Sequence, residues 1–399
     1  MDIVIIAQYL RNIESFEGNN SRFVYLAKML SSEQNNQVEI ITSDFNHATK
    51  KNFDSVGKLE NVQVTALHEP GYPKNVCLKR FSSHKKLAVN IEKYLGERKK
   101  PDVIYVAVPS LSVAEAAATY CRKNNVRFIV DIQDLWPEAF KMVFNVPVLS
   151  DLIFKPMEKQ ADKIYATADQ IVAVSKTYAE RGMRVNKKCK ESVAVFLGTE
   201  LETFDGYARL APAEKYEGIT IGYVGSMSAS YDLISVIDAI SQLRSDVPVR
   251  LLAMGDGADR ERFINYAEQK GIVSEFTGTL PYPEMVGRLV ACDIAVNPIH
   301  KGSAGSIINK VGDYAMAGLP VINTQESSEY RELLDTYCAG INCECENAED
   351  MAKALQKLID DGSLRTLMAE NSRKLGAERF NRGNAYTEII NSILTKSEE

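Results

Sequence analysis

The chain has 399 residues, 45% of them apolar and 25% charged, and carries a net charge of −6. That length exceeds what one hydrophobic core organises, so two domains are expected. The acidic balance disfavours a nucleic-acid partner, no apolar run approaches the roughly 18 residues that span a bilayer, and seven irregularly spaced cysteines fit free thiols better than a disulfide framework or a metal site.

The chain opens directly on the strand-like Ile3-Val4-Ile5-Ile6, without a basic leader, so a cytoplasmic protein is expected. Further β-branched runs fall at 38–42, 62–67, 103–108, 127–132 and 171–174. Between the first two lies a helix with Phe23, Leu26, Ala27 and Leu30 on one face, and residues 111–124 form another. Residues 74–100 carry nine cations against two acids, interleaved with Leu78, Phe81, Leu87, Val89, Ile91 and Leu95. A basic amphipathic helix over Lys79–Lys100 suits an anionic membrane surface, here the inner face, or else a solvated helix face. Arg181, Arg184, Lys187, Lys188 and Lys190 make a second basic run.

Residues 198–217 lack a sustained period and read as a linker. The rhythm then restarts, with strands at 219–224, 249–254, 275–278, 294–297 and 320–323. Helices fall near 232–244, 258–270, 283–291, 310–317 and 350–360. This is the βαβ alternation of α/β proteins, and it predicts two facing, doubly wound parallel-sheet domains of Rossmann-like form. The expected boundaries are 1–200 and 201–383, with a last helix, 384–399, packing back on the first domain. Such sheets bind ligands at the carboxyl ends of their strands, which face an interdomain cleft.

The stretch from Asn309 to Ile322 carries the clearest chemistry. Lys310 and Asp313 stand three apart at a loop-to-helix junction, so they share one face of the first turn. Gly318 closes the short helix and Pro320 leads into a strand. A helix start suits a phosphate, Lys310 adds a point charge, and the Asp313 carboxylate can accept from a sugar diol. Phosphate plus polyol means a nucleotide or nucleotide sugar.

Two strand-to-loop turns support that reading. Gly225-Ser226 follows the strand at 219–224, with Asp232 as a helix N-cap, and would let backbone approach a pyrophosphate. Gly255-Asp256-Gly257 follows the strand at 249–254, but Arg260 stands where a dinucleotide fingerprint needs glycine. Leu280 lies in a turn where a base could rest. Asp134, Trp136 and Glu138 follow the strand at 127–132, where a carboxylate could accept an acceptor hydroxyl proton. The alternative there is a plain helix start, with Pro137 at its first position and Trp136 in the core. No Asp-x-Asp occurs, so a metal-chelated diphosphate is not expected, and neither is any other cofactor.

In this order, the elements at 219–322 resemble those of the retaining glycosyltransferases of family four, group 1, with the GT-B fold. The resemblance is to the bacterial surface-polysaccharide branch. Gly18-Asn19-Asn20-Ser21-Arg22 resembles its first-domain glycine loop, and Asp134-Leu135-Trp136-Pro137-Glu138 matches another of its motifs. Ala168–Ser175 and Leu197-Gly198-Thr199 occupy matching places.

The resemblance implies a nucleotide-sugar donor, UDP-linked, on the second domain and a glycan or lipid-linked acceptor on the first. It implies that Asp313 binds ribose and that Lys310 and backbone from Ser306 through Ile307 and Ile308 to Asn309 face the diphosphate or sugar. Gly18 would close on the diphosphate from the other domain. The chain departs from the pattern in having Gly305 and Asp313 where two glutamates are common. It also has Ser230-Tyr231-Asp232 where a basic residue is common. Lys301, Lys310 or Arg22 would then supply the charge a diphosphate leaving group needs. The rival readings are a nucleotide-sugar epimerase on a similar fold, a non-catalytic homologue acting as partner or sensor, and a dehydrogenase.

Overall fold

The β-branched runs become strands of two parallel sheets in the computed structural model. It describes every residue except 18, 20, 34, 76, 144–148, 304–306 and 396–399, and no side chains at 142, 143 and 149–151. The chain divides into two compact units, residues 1–195 with 386–399, and residues 196–385.

The first unit holds strands β1 (Asp2–Ile6), β2 (Gln37–Ser43), β3 (Phe45–Asn46), β4 (Lys51–Asn52), β5 (Val62–Leu67), β6 (Val103–Val108), β7 (Arg127–Ile132), β8 (Gln170–Ala173) and β9 (Val193–Ala194). Its helices are α1 (Arg22–Ser32), α2 (Leu78–Glu97), α3 (Leu111–Asn124), α4 (Glu138–Val143), α5 (Leu149–Thr167) and α6 (Lys176–Met183). Seven strands pair in the order β5-β2-β1-β6-β7-β8-β9, all parallel, while β3 and β4 form a small hairpin. Ile3, Val4, Ile5 and Ile6 are all buried, the mark of a strand covered on both faces. The chain winds outward from β1 through β2 to β5 and then returns to β6 on the opposite side of β1. The carboxyl ends of β1 and β6 therefore mark the switch point of this sheet.

The second unit contains β10 (Ile219–Val224), β11 (Val249–Met254), β12 (Val273–Gly278), β13 (Ile294–Asn297), β14 (Val321–Asn323) and β15 (Gly340–Asn342). The helices are α7 (Leu201–Leu210), α8 (Leu233–Ser241), α9 (Arg260–Lys270), α10 (Tyr282–Val290), α11 (Lys310–Met316), α12 (Ser328–Tyr337), α13 (Ala348–Asp360) and α14 (Gly362–Leu375), with a π-helical turn at Gly376–Phe380. The sheet order β12-β11-β10-β13-β14-β15 is again parallel throughout, with its switch point between β10 and β13. Alternation along β10 sends Ile219, Ile221 and Tyr223 into one core cluster.

The expected linker at 198–217 is corrected: α7 occupies half of it. Leu201, Phe204, Tyr207 and Ala208 recur at helical spacing and pack on the cluster that holds Met285 and Leu289 of α10. Glu200, Glu202, Asp205 and Arg209 mask that stripe in the sequence. The last helix, α15 (Arg382–Leu394), contributes residues 386–394 to the first unit, where Arg127 donates to the Ile393 carbonyl at 2.9 Å. Among the described residues no helix is long and apolar enough to cross a membrane.

Candidate functional site

The switch point of the second unit is assembled from β10, the Gly225 loop that follows it, and α11, which the chain reaches after β13. Tyr314 fixes α11 in place: its hydroxyl accepts from Val224 N at 2.9 Å and donates to the Val296 carbonyl at 3.1 Å, tying the helix to the ends of both strands. Gly318, at φ +66°, ends the helix in the left-handed region, as its sequence position predicts.

Lys310, the first residue of α11, is buried with its ammonium between two aromatic rings. Its Nζ lies 4.1 Å from the centroid of Tyr223 and 4.1 Å from that of Tyr231. Among the described residues the Nζ has no hydrogen-bond partner. Burial without a counter-charge drives the Lys310 pKa well below its ordinary value. Cation–π contact offsets part of the lost hydration, about 2 kcal/mol when desolvated, but leaves three N–H donors unsatisfied. Gly225, at φ +137°, permits this arrangement. That φ is what calls for glycine, since a Cβ there would make ordinary contact with Lys310, 3.4 Å from Cδ and 3.5 Å from Nζ.

Asp313 lies one turn further on, partly exposed, and accepts from the Tyr282 hydroxyl at 2.7 Å. Burial pushes its pKa up to about 6, although the Tyr282 hydrogen bond and Arg382 pull the other way. At the end of β13, buried Asn297 donates to Asn323 Oδ1 at 2.9 Å, and among the described residues its own Oδ1 accepts from no group. One bare cation, one acceptor of tunable charge and one free amide oxygen thus gather at the carboxyl edge of this sheet.

Residues 210–375 match the profile of the glycosyl transferases group 1. That stretch of the second unit resembles that family. The chain is 24% identical over 225 residues to an uncharacterized glycosyltransferase, MJ1069 of Methanocaldococcus jannaschii, covering 55% of this chain and 56% of that one. It is 27% identical over 141 residues to the lipopolysaccharide glucosyltransferase WaaG of Escherichia coli K12, covering 34% of this chain and 36% of that one. The matches thus span about half the length of the first relative and about a third of the second.

A solved structure of WaaG superposes with TM-score 0.65 at 13% identity, over 99% of this chain and 100% of that one. HepE of Anabaena in complex with UDP superposes with TM-score 0.67 at 14% identity, over 98% and 99%. At these identities the likeness shows the fold, two Rossmann-like parallel-sheet domains of the GT-B class.

Within the group 1 domain, Asp232 caps α8 as expected, accepting from Ser235 N at 3.0 Å. The glycines at 255 and 257 are tightly packed. Added Cβ atoms would lie 1.9 Å from the Gly225 carbonyl oxygen at Gly255 and 2.1 Å from the Met227 carbonyl oxygen at Gly257. Their smallness is what lets the neighbouring loop backbone pack against them. Ser226 is exposed, and its carbonyl accepts from the Tyr223 hydroxyl at 2.5 Å. Leu280, Ile307 and Ile308 turn toward the core, so they offer a ligand only backbone, while Asn309 is exposed. Ser306, Gly305 and Gly18 lie outside the described residues.

Arg22, expected at the donor, has partners within its own unit. It is buried in the first unit, ion-paired to Asp131 at 2.8 Å, donating to the Val195 carbonyl at 2.9 Å and lying 5.0 Å from the Tyr386 ring. Glu138 and Asp134 differ in availability. Glu138 is ion-paired with Arg181 at 2.5 Å, and Arg181 also holds Asp162 at 2.7 Å, which removes Arg181 from the second basic run. Asp134 accepts from the adjacent Leu135 N at 2.9 Å, from the Trp136 side chain and, loosely, from Tyr178, and burial raises its pKa. Trp136 is buried, as the helix-start alternative expects. Tyr223, Tyr231, Tyr282 and Asn297 were not singled out as site residues from the sequence. Tyr223 was legible as the last inward-facing residue before the Gly-Ser turn, whereas the approach of Tyr231 depends on how that loop folds.

Proposed function

We propose that the protein transfers a sugar from a nucleotide-diphosphate donor, UDP-linked, to a glycan or lipid-linked glycan acceptor in surface-polysaccharide synthesis. The observation that carries this reading is the unpartnered Lys310 ammonium at the switch point of the group 1 domain. Solved neighbours are complexes with UDP and with UDP-glucose, and WaaG acts in lipopolysaccharide biosynthesis, which supports both the donor and the acceptor class.

In the proposed reaction an acceptor hydroxyl oxygen bonds to the anomeric carbon while the bond from that carbon to the diphosphate oxygen breaks. The hydroxyl proton passes to the departing oxygen on the same face, so configuration is retained and UDP leaves. Lys310 stabilises the charge that develops on the leaving group, the part a metal ion plays elsewhere, and no metal is required. Asp313 accepts from the ribose diol. Asp134 is the first-unit carboxylate available to orient the acceptor hydroxyl.

The proposal places the protein at the cytoplasmic face of a membrane. Lys79, Lys85, Lys86 and Lys93 are exposed on α2, together with Leu78 and Val89. Arg80 and Arg98 of the same run turn inward.

Thermal unfolding with UDP, GDP, ADP and NAD in turn tests the donor. At 100 times Kd, UDP should add about 2.7 kcal/mol. A shift with NAD and none with UDP or GDP would end the transferase reading. Release of UDP from UDP-sugar only when acceptor is supplied separates the transferase from an epimerase.

A further inference from the structure

At the switch point of the first unit, three buried polar atoms lack partners among the described residues. They are Gln8 Oε1 just past β1, Ser110 Oγ just past β6, and Arg80 Nε at the start of α2. Around Arg80 stands a ring of aromatic and imidazole groups. Its guanidinium carbon is 4.6 Å from the Trp136 ring, 5.6 Å from Tyr72 and 5.8 Å from Tyr9. Arg80 donates to the Asn75 carbonyl at 2.8 Å and to the Tyr9 hydroxyl at 3.1 Å. Lys50 Nζ lies 4.9 Å from the Tyr72 ring and donates to Asn75 Oδ1 and the His47 carbonyl.

The charges here do not balance. Among the described residues neither Arg80 nor Lys50 is ion-paired with a carboxylate; their donors go to neutral oxygens. Glu69, the buried carboxylate nearby, accepts instead from Gln8 at 3.0 Å, Ser43 at 2.7 Å and Ser83 at 2.8 Å. Both histidines add no charge. Burial, with Lys50, Arg80 and Arg11, pushes His47 down to about 4, and burial, with Arg80 and His47, pushes His84 down to about 3. A buried guanidinium costs several kcal/mol without a counter-anion. Tyr9, His47 and Lys50 are only half-buried, so the ring is open to solvent on their side.

We infer that Arg80 and Lys50, at the switch point of the first unit, bind an anionic group, phosphate or carboxylate, carried by the acceptor. The inference rests on the proposed transferase reading, in which the acceptor occupies the first unit. Aromatic faces beside two cations without a carboxylate suit a sugar ring bearing such a group, since the rings take its C–H faces while Arg80 supplies fork-shaped donors to two of its oxygens.

Trp136 is the only tryptophan in the chain and packs on Arg80, so its emission reports the site directly. The intact protein is titrated with potassium phosphate, potassium glucuronate and glucose, and with potassium chloride at matched ionic strength. A saturable change is expected with phosphate or glucuronate and not with glucose or chloride. Phosphate alone would indicate a phosphate-bearing acceptor, glucuronate alone a carboxylated sugar, and either supports the inference. Arg80→Gln should move the midpoint about tenfold or more. If that variant does not fold, Lys50→Gln, at a half-buried head group, should still weaken binding severalfold. No saturable change with either anion, or the same change with chloride, overturns the inference. UDP stabilisation, measured on the same protein, reports the second unit and can fail or succeed independently.

Discussion

Lys310 and Tyr231 meet with the lysine Nζ 4.1 Å from the ring centroid, in the loop where the sequence resemblance implies a basic residue. The aromatic ring does not replace the missing charge; it shelters the charge supplied from α11. Holding a cation there without an anion strains the ligand-free protein. Lys310→Met keeps the length and contacts of the side chain and removes the buried charge. The variant should be more stable than the parent without ligand, by about 1 kcal/mol or more, which is a rise of about 2–4 °C in Tm for a unit of this size. It should also lose the stabilisation by UDP and nearly all turnover. Calorimetry checks both, and a destabilised variant that keeps its UDP response removes Lys310 from the site.

Asp313 gives a pH signature of definite sign. Its folded pKa of about 6 lies above the roughly 3.9 of an unfolded aspartate. Between those values the folded state binds more protons than the unfolded state, so this group makes the ligand-free protein lose stability as pH rises from about 4 to about 6. Nucleotide affinity should run the opposite way, rising through about pH 6 as the carboxylate ionises and accepts from the ribose diol. Asp313→Asn should flatten both trends. UDP affinity that varies identically in the variant and the parent would refute the ribose role.

Much of this arrangement was legible because open parallel sheets leave strong local marks. The runs at Ile3–Ile6 and Ile219–Val224 are buried on both faces and read as continuous apolar strands. Lys310, Asp313 and Gly318 follow from helix spacing and capping. The sequence is silent where long-range packing decides. The glycines at 255 and 257 serve a neighbouring backbone. Arg22 answers to Asp131, which is remote in sequence. The stripe of α7 lies under a run of charge. The aromatic walls of Lys310 come from Tyr223 on a strand and Tyr231 in a loop, and no period links them.

The Arg22–Asp131 pair separates a structural role from a binding one. Both side chains are buried, and Tyr105 and Gln133 also donate to Asp131, at 2.6 Å each. Arg22→Ala leaves that carboxylate without its counter-charge, at a cost of about 3–5 kcal/mol. Urea unfolding should show this loss, while the folded fraction keeps the parental UDP affinity. A large fall in UDP affinity at parental stability would return Arg22 to the donor site.

Gly255 offers the sharpest test of how the donor loop is built. Its φ of +142° is one that residues with a Cβ rarely adopt, and the added atom would lie 1.9 Å from the Gly225 carbonyl oxygen. That oxygen belongs to backbone, which cannot swing aside as a side chain would. It also belongs to the residue over which the Lys310 head group rests. Gly255→Ala should therefore cost about 3 kcal/mol or more, lowering Tm by about 6 °C or more. It should also weaken UDP binding in whatever fraction folds, because displacing Gly225 displaces the seat of Lys310. Gly271→Ala is the control. It occupies open space at the end of α9, with φ +67°, so it carries backbone strain without a clash and should leave UDP affinity unchanged. Equal effects of the two substitutions on UDP affinity would mean that the Gly225–Gly255 contact has no part in holding the lysine.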